Sequence, residues 1–422
     1  MAKVPAYAVL LYMSDNNDLC RGARARLAQQ LKSVEPCDQL RVGIEYSHLR
    51  EPDFWNHKDI THRRCQIDDG KLVTVADLPA ADMADPDTLH AALKWGLRRF
   101  PAEHHIVIMQ GHGAAWKPFL PDEAFGAETI ALDDRPAREP NRLTVPLAAN
   151  VLESTARDVG IQPAILAHDS CLMGNLESAF QFRRGAGILL ASEDLTHSTK
   201  SEYALDFSVP LGTILSRLAH RLNAGDNVQP EDVAHEWVQA CGESWTTPTQ
   251  SAWDLSKMKS IGPAVNALCD RLLDPAIPAS ALRDAFSKVR NFSSRPKPDK
   301  WDREYDYKMH LKDLLHLLDV VQREPALAAA KQAAAQLQRE VKGMRLEHEA
   351  QPRVHEVGRT LYDVQFDRWR DYDAKHTGGM SIYVPDNEEI IKFSKKNGAD
   401  YEALDFVKQT RWNKVIHKVV AG

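Results

Sequence analysis

The chain opens on a regular exchange of two hydrophobic periods. YAVLLYM (7–13) and QLRVGIEY (39–46) are short, nearly unbroken apolar runs with β-branched or aromatic residues, and they read as buried strands. Between them ARARLAQQLKSV has helical spacing. DPDTLHAALKWGLRRF (85–100) carries a helix start, with Asp85 as N-cap and Pro86 as first helical residue. Its apolar residues Leu89, Leu93, Leu97 and Phe100 share one face. HIVIMQ (105–110) is an apolar strand ending at Gly111. LTVPLAANVLESTARDVG (143–160) is helical, and AILA (164–167) and GILLAS (187–192) are further strands. Strands alternating with helices predict a mostly parallel sheet with helices on both faces. Function in such sheets sits at the C-terminal strand ends.

After about residue 208 the texture turns helical, as in LGTILSRLAHRL, IGPAVNALCDRLL and the Ala-rich PALAAAKQAAAQLQREVKG. QSAWDL (250–255) and GGMSIYVP (378–385) interrupt it as strand-like pieces. The pattern predicts a core over 1–207 and a helical region over 208–345 with an added strand near 250–255. A C-terminal segment, 346–422, is expected to return to the sheet through a strand near 378–385. Residues 117–141 carry four prolines and many charges without a period, and read as a long exposed loop, of a length that is usually functional or disordered.

Composition narrows the function classes. Hydrophobic residues make up 43% and charged residues 27% of the 422, as in a soluble globular protein. A formal charge of −6 gives no nucleic-acid footprint. No apolar stretch is long enough to span a membrane. The first residues lack the apolar core and cleavage site of a signal peptide. The six cysteines are scattered, without zinc or CxxC spacing. These features together lead to an expectation of a reducing, cytoplasmic setting, no nucleic-acid or membrane partner, and mostly buried thiols.

Two strand ends carry candidate chemistry. HIVIMQGHGAAW sets His112 between two glycines, and AILAHDSCLM sets Cys171 after the next strand of the same alternation. In a parallel sheet both fall on one edge. A thiolate is the reactive form of cysteine, and a nearby imidazole favours it. LMGNLESAFQF has helical spacing and would place the thiol at a helix N-terminus, which also favours the anion. The N–H groups of Gly113 and Cys171 are candidates for an oxyanion hole. The other reading of the same residues is a buried core cysteine beside a loop histidine.

QGHGAAW and HDSCLMGNLE resemble the two signature segments of the clostripain family of cysteine peptidases, an HG-x-GW-like turn and a D-x-CLM-x-x-x-E segment. YAVLLYMSDNNDL, LLASEDL and GGMSIYVP resemble further segments of that family in the same order. The resemblance implies a caspase-like α/β fold and hydrolysis of peptide bonds, with Cys171 as nucleophile and His112 as base and acid. It implies that Asp169 lines the pocket for a basic P1 side chain, Arg or Lys, and that Glu193 and Asp194 add to that pocket. Solvated loop charge is the other reading for those two acids. After SED the family pattern P-G-x-G-W-x-Y is replaced by LTHSTKSEYALDF, with only Tyr203 recognisable, so the specificity loop departs from the family.

The resemblance also implies processing between the histidine and the nucleophile. The basic candidates are Lys117, Arg135, Arg138 and Arg142. Pro136 disfavours a cut after Arg135, which leaves Arg138 and Arg142. A latent enzyme cut by itself or by an upstream protease, acting in a stress or antiviral cascade, is the expectation. A catalytically inactive scaffold on the same fold, or another thiol enzyme such as a transpeptidase, are the rivals. VQACGES (238–244) mimics a caspase nucleophile segment, but helical spacing places Cys241 in a helix core. His168 lies too near Cys171 in sequence to act as its base and reads as structural or pocket-lining. No cofactor is expected. Calcium is a lesser option at SDNND (14–18), whose spacing is not that of an EF-hand.

Overall fold

The structure is a computed structural model. It describes residues 4–16, 23–49, 60–130, 136–196, 209–244, 247–293, 308–359, 365–396 and 399–421. The first strands are β1 (Tyr7–Asp15), β2 (Leu40–Leu49), β3 (Ile60–Asp68), β4 (Lys71–Leu78) and β5 (His104–Gln110). Then come β6 (Phe119–Ile130), β7 (Pro136–Leu143), β8 (Ile165–Asp169), β9 (Ile188–Ala191) and β10 (Thr249–Asp254). The rest are β11 (Asn291–Ser293), β12 (Lys308–Asp313), β13 (Arg345–Ala350), β14 (Arg353–Arg359), β15 (Gln365–Asp371) and β16 (Ser381–Tyr383).

Nine of these form one sheet in the order β13-β10-β9-β8-β5-β1-β2-β3-β4. Its centre, β9-β8-β5-β1-β2, is parallel throughout. Side chains alternate across the pleat. Leu10, Tyr12, Val107, Met109 and Leu166 pack on one face, among helices 86–99, 145–159 and 258–272. Val9, Leu11, Ile44, Ile106 and Ile108 pack on the other, among helices 23–31, 211–223 and 230–244. The helix at 86–99 starts as its sequence requires: the Asp85 carboxylate accepts the Asp87 N–H, with Pro86 in the first turn.

Several sequence-based expectations change. β3 and β4 form an antiparallel hairpin that the apolar pattern did not reveal, because both strands lie toward the polar edge. The signal was its turn, Asp69-Gly70, both at positive φ. Most of 117–141 is a two-stranded ribbon, β6–β7, rather than an irregular loop; Pro121 and Pro140 fall where its register shifts, and Pro136 is the first residue of its strand. β10 is the added strand, antiparallel to β9, and the polar β13 closes that edge. With that edge filled, GGMSIYVP does not rejoin the main sheet. Its β16 pairs with β12 in a separate three-stranded sheet.

β16 nevertheless reaches the loop that follows Cys171. Ser381 bridges Asn175, and its N–H donates to the Gly174 carbonyl at 2.9 Å. The fully buried Glu177 completes the attachment. One carboxyl oxygen accepts the Tyr383 N–H at 2.9 Å and the Tyr401 hydroxyl at 2.8 Å. Burial pushes this acid up to about 7, against the pull of those two donors.

That shift fixes a sign. The folded chain holds the Glu177 proton more tightly than the unfolded chain does. The stabilisation is complete below the ordinary value of 4.5 and is lost as pH rises toward about 7. Glu177→Gln keeps an acceptor for both donors and has no charge to bury. Unfolding by urea, followed from about pH 4.5 to 8, should show the variant gaining on the wild type by roughly 3 kcal/mol. A difference independent of pH would contradict this account.

Candidate active site

β5 and β8 are parallel neighbours, with Gln110 opposite Asp169. His112 and Cys171 each lie two residues beyond that pair, on adjoining loops. The Gly111 N–H donates to the Asp169 carbonyl at 3.3 Å, which continues the pairing past the strands. Gly113 then lies against the backbone of Cys171. A Cβ there would fall 2.0 Å from the Cys171 carbonyl oxygen and 2.7 Å from its nitrogen. Only glycine allows this approach. Beyond it, the Leu120 N–H donates to the His112 carbonyl at 2.9 Å. Trp116 meets Tyr383 and Tyr401 edge-on, each at 4.8 Å.

The cysteine loop is strapped on its other side to the end of β9. The Leu172 N–H donates to the Asp194 carbonyl at 3.1 Å, and the Gly174 N–H to the Ser192 carbonyl at 2.7 Å. Leu172 takes a left-handed φ of 64°, a conformation a branched residue holds only when its surroundings over-determine it. The helix expected directly behind the thiol starts later, at Leu176. Asn175 caps it, accepting the Ser178 N–H at 2.9 Å and donating to the Leu172 carbonyl at 3.0 Å. A helix field fades within its first turn, so this helix does not explain an activated thiol.

Thr196 surrounds the Cys171 sulfur. Its N–H and its hydroxyl oxygen each lie 3.3 Å from Sγ, and its carbonyl oxygen lies at 3.6 Å. Burial pushes the thiol up, the Thr196 hydroxyl and N–H pull it down, and Asp194 and Asp169 push it up further. The N–H groups of Gly113 and Cys171 have no hydrogen-bond partner among the described residues, as donors reserved for an oxyanion would.

The acids divide by environment. Asp169 is 6% exposed, and one carboxylate oxygen accepts the Val209 N–H at 3.3 Å. Its charge reaches both Cys171 and Cys241. Glu193 does not line a pocket. It is 0% exposed, and its Oε1 accepts the Gly379 N–H at 2.9 Å. Its carboxyl faces Asp313, which accepts N–H groups from His316 and Gly378. Desolvation first, and then each other's charge, raise Glu193 well above its ordinary range. Two buried carboxyls in contact cannot both ionise, so they share a proton. The pair fastens the turn that leads into β16.

Asp194 is also answered from within. Its Oδ1 accepts the Leu195 N–H at 2.8 Å, and its Oδ2 lies 3.9 Å from Arg290. That guanidinium sits 4.3 Å over the Tyr372 ring and 5.2 Å over Phe292, with Asp373 at 3.8 Å. Tyr203 lies outside the described residues.

His168 is wedged between Phe119 and Phe182, with ring centroids at 5.9 and 5.4 Å. Burial pulls it down to about 3, so it is neutral and structural. Cys241 is buried in helix 230–244, its thiol pushed up by desolvation. Arg138 lies on β7 opposite Glu128, and Arg142 is exposed near the end of that strand. Ser14, Asp15 and Asn16 are buried at the end of β1, where the Ser47 hydroxyl donates to Asn16 at 3.0 Å. No group of three or more His, Cys, Asp or Glu placed to hold a metal occurs among the described residues. Thr196, Arg290 and Asp313 carry no motif, and only folding brings them here. Glu177 was visible as the last residue of the cysteine segment.

A family model described as the clostripain family matches residues 37–418, which include both His112 and Cys171. A secreted C11 cysteine protease from Bacteroides thetaiotaomicron, solved with an irreversible peptide inhibitor, superposes with a TM-score of 0.62 at 14% identity. The match covers 97% of this chain and 99% of that one. An inactive zymogen C11 protease from Parabacteroides distasonis superposes at 0.63 and 15% identity, with the same coverage. At such identities the likeness is one of fold. No curated protein matches the chain in sequence. The family match spans nearly the whole chain: it belongs to the clostripain family and is a cysteine protease.

Proposed function

We propose that the chain is a latent endopeptidase that cleaves after Arg, and less readily after Lys, through Cys171 and His112. The observation that carries this reading is the contact of Gly113 with the Cys171 backbone, which sets the histidine turn on the nucleophile. His112 takes the thiol proton, and the sulfur electron pair forms a bond to the substrate carbonyl carbon. The N–H groups of Gly113 and Cys171 hold the oxyanion. When the intermediate collapses, the C–N bond breaks and His112 gives its proton to the leaving amine. Water, with His112 as base, then frees the acid from the sulfur. No cofactor takes part. Asp169, two residues before the nucleophile, receives the guanidinium of P1.

The thiol is partly buried, and its raised pKa, desolvation first, supports latency. We place the activating cut in or near β7, after Arg138 or Arg142, made by the enzyme itself or by an upstream protease. The earlier expectation of an intracellular setting gains nothing from the relatives, one of which is described as secreted.

The test uses the purified chain before and after limited trypsin, with fluorogenic peptides bearing Arg, Lys, Asp or Leu at P1. Hydrolysis should favour Arg and then Lys, and vanish in Cys171→Ala and His112→Ala. Asp169→Asn should lower kcat/KM for the Arg peptide by about 10- to 100-fold. A preference for Asp would sink the pocket assignment. Gly113→Ala should fold, yet lose about 10²-fold in activity through a displaced histidine turn. For processing, fragments of the wild type should begin after Arg138 or Arg142. Isolated Cys171→Ala that still gains the cut would rule out self-processing.

A further inference from the structure

We infer that Thr196 is a further catalytic residue, whose backbone N–H and side-chain hydroxyl hold the Cys171 sulfur as a thiolate once His112 has taken its proton. This rests on the dyad proposed above and adds a third participant. The sulfur needs one. The helix at Leu176 begins too far along the chain to favour the anion, and Asp169 and Asp194 both oppose it. No other described residue donates a hydrogen bond to this sulfur.

The three Thr196 groups have different roles because their chemistry differs. The N–H at 3.3 Å can only donate, so it favours the thiolate in every state. The carbonyl at 3.6 Å can only accept, so it favours the resting thiol. The hydroxyl at 3.3 Å can do either. It accepts from S–H at rest and rotates to donate after the proton has moved to His112. One residue thus serves both protonation states without any backbone movement.

Its position is built, not incidental. The Ser192 hydroxyl exchanges a bond with Thr249 at 2.9 Å and accepts the Asp194 N–H at 3.2 Å. Asp194 in turn accepts the Leu195 N–H at 2.8 Å. These bonds carry the chain from the end of β9 to Thr196 in fixed steps. The backbone donor is therefore preorganised, which is what makes a donor effective at a charge that appears during reaction.

The experiment compares full-length wild type, Thr196→Val and Thr196→Ser. Valine keeps the shape and the N–H but lacks the hydroxyl; serine restores it. Alkylation of Cys171 by iodoacetamide is followed by mass spectrometry of its peptide from about pH 5 to 11, which separates it from the other thiols. In Thr196→Val the inflection should move up by about one pH unit, and the rate near neutrality should fall about tenfold. Thr196→Ser should return both toward wild type. kcat/KM for the Arg peptide should fall with the alkylation rate, with KM unchanged. Superimposable wild-type and valine profiles would overturn the inference. So would faster alkylation of the valine variant, which would make Thr196 a shield, or a serine variant that fails to restore. Full activity in Cys171→Ala would instead sink the dyad itself, whatever the Thr196 variants do.

Discussion

The sheet edge that carries His112 and Cys171 is organised around a missing carbon. Any side chain at position 113 would start 2.0 Å from the Cys171 carbonyl oxygen. Without it, the histidine turn and the cysteine loop touch backbone to backbone. That contact follows from two parallel neighbours, β5 and β8, ending in register. The remaining features keep those two loops from drifting apart: the bonds from Leu172 and Gly174 to the end of β9, and the packing of Trp116 on Tyr383 and Tyr401.

Both loops depend on residues far along the chain. Glu177 binds the backbone of Tyr383 and the hydroxyl of Tyr401. Glu193 and Asp313 share a proton and bind the turn at Gly378 and Gly379. These three acids are buried because they serve as neutral or half-neutral hydrogen-bond partners, a role that desolvation favours. The C-terminal segment is therefore part of the site's foundation. Its attachment is sensitive to protons rather than to salt, since the groups involved are shielded from solvent.

The thiol sits under opposing demands. An acid near a thiol raises its pKa. Asp169 has that effect on Cys171. The structure limits it by answering Asp194 with Arg290, stacked between two aromatic rings. Donors at the sulfur offset only part of the rise. The balance leaves Cys171 resting as the thiol.

The order of strands and helices, the parallel core and the two signature segments were legible in the sequence, because burial on both faces and capping at helix starts leave local patterns. His112, Gly113 and Cys171 were legible because each stands just past an apolar run. Polar edge elements such as β3, β4 and β13 were not, since an edge strand needs no apolar signature. Nor was the ribbon β6–β7, where prolines mask the alternation. The fates of the acids were decided by tertiary structure alone. Asp169, Glu193 and Asp194 look equivalent in sequence, and their environments separate them: one near the thiol, one sharing a proton with Asp313, one facing Arg290. Thr196 is the same kind of case. The chemistry of a side chain is set by its neighbours, and neighbours distant in sequence are supplied only by the fold.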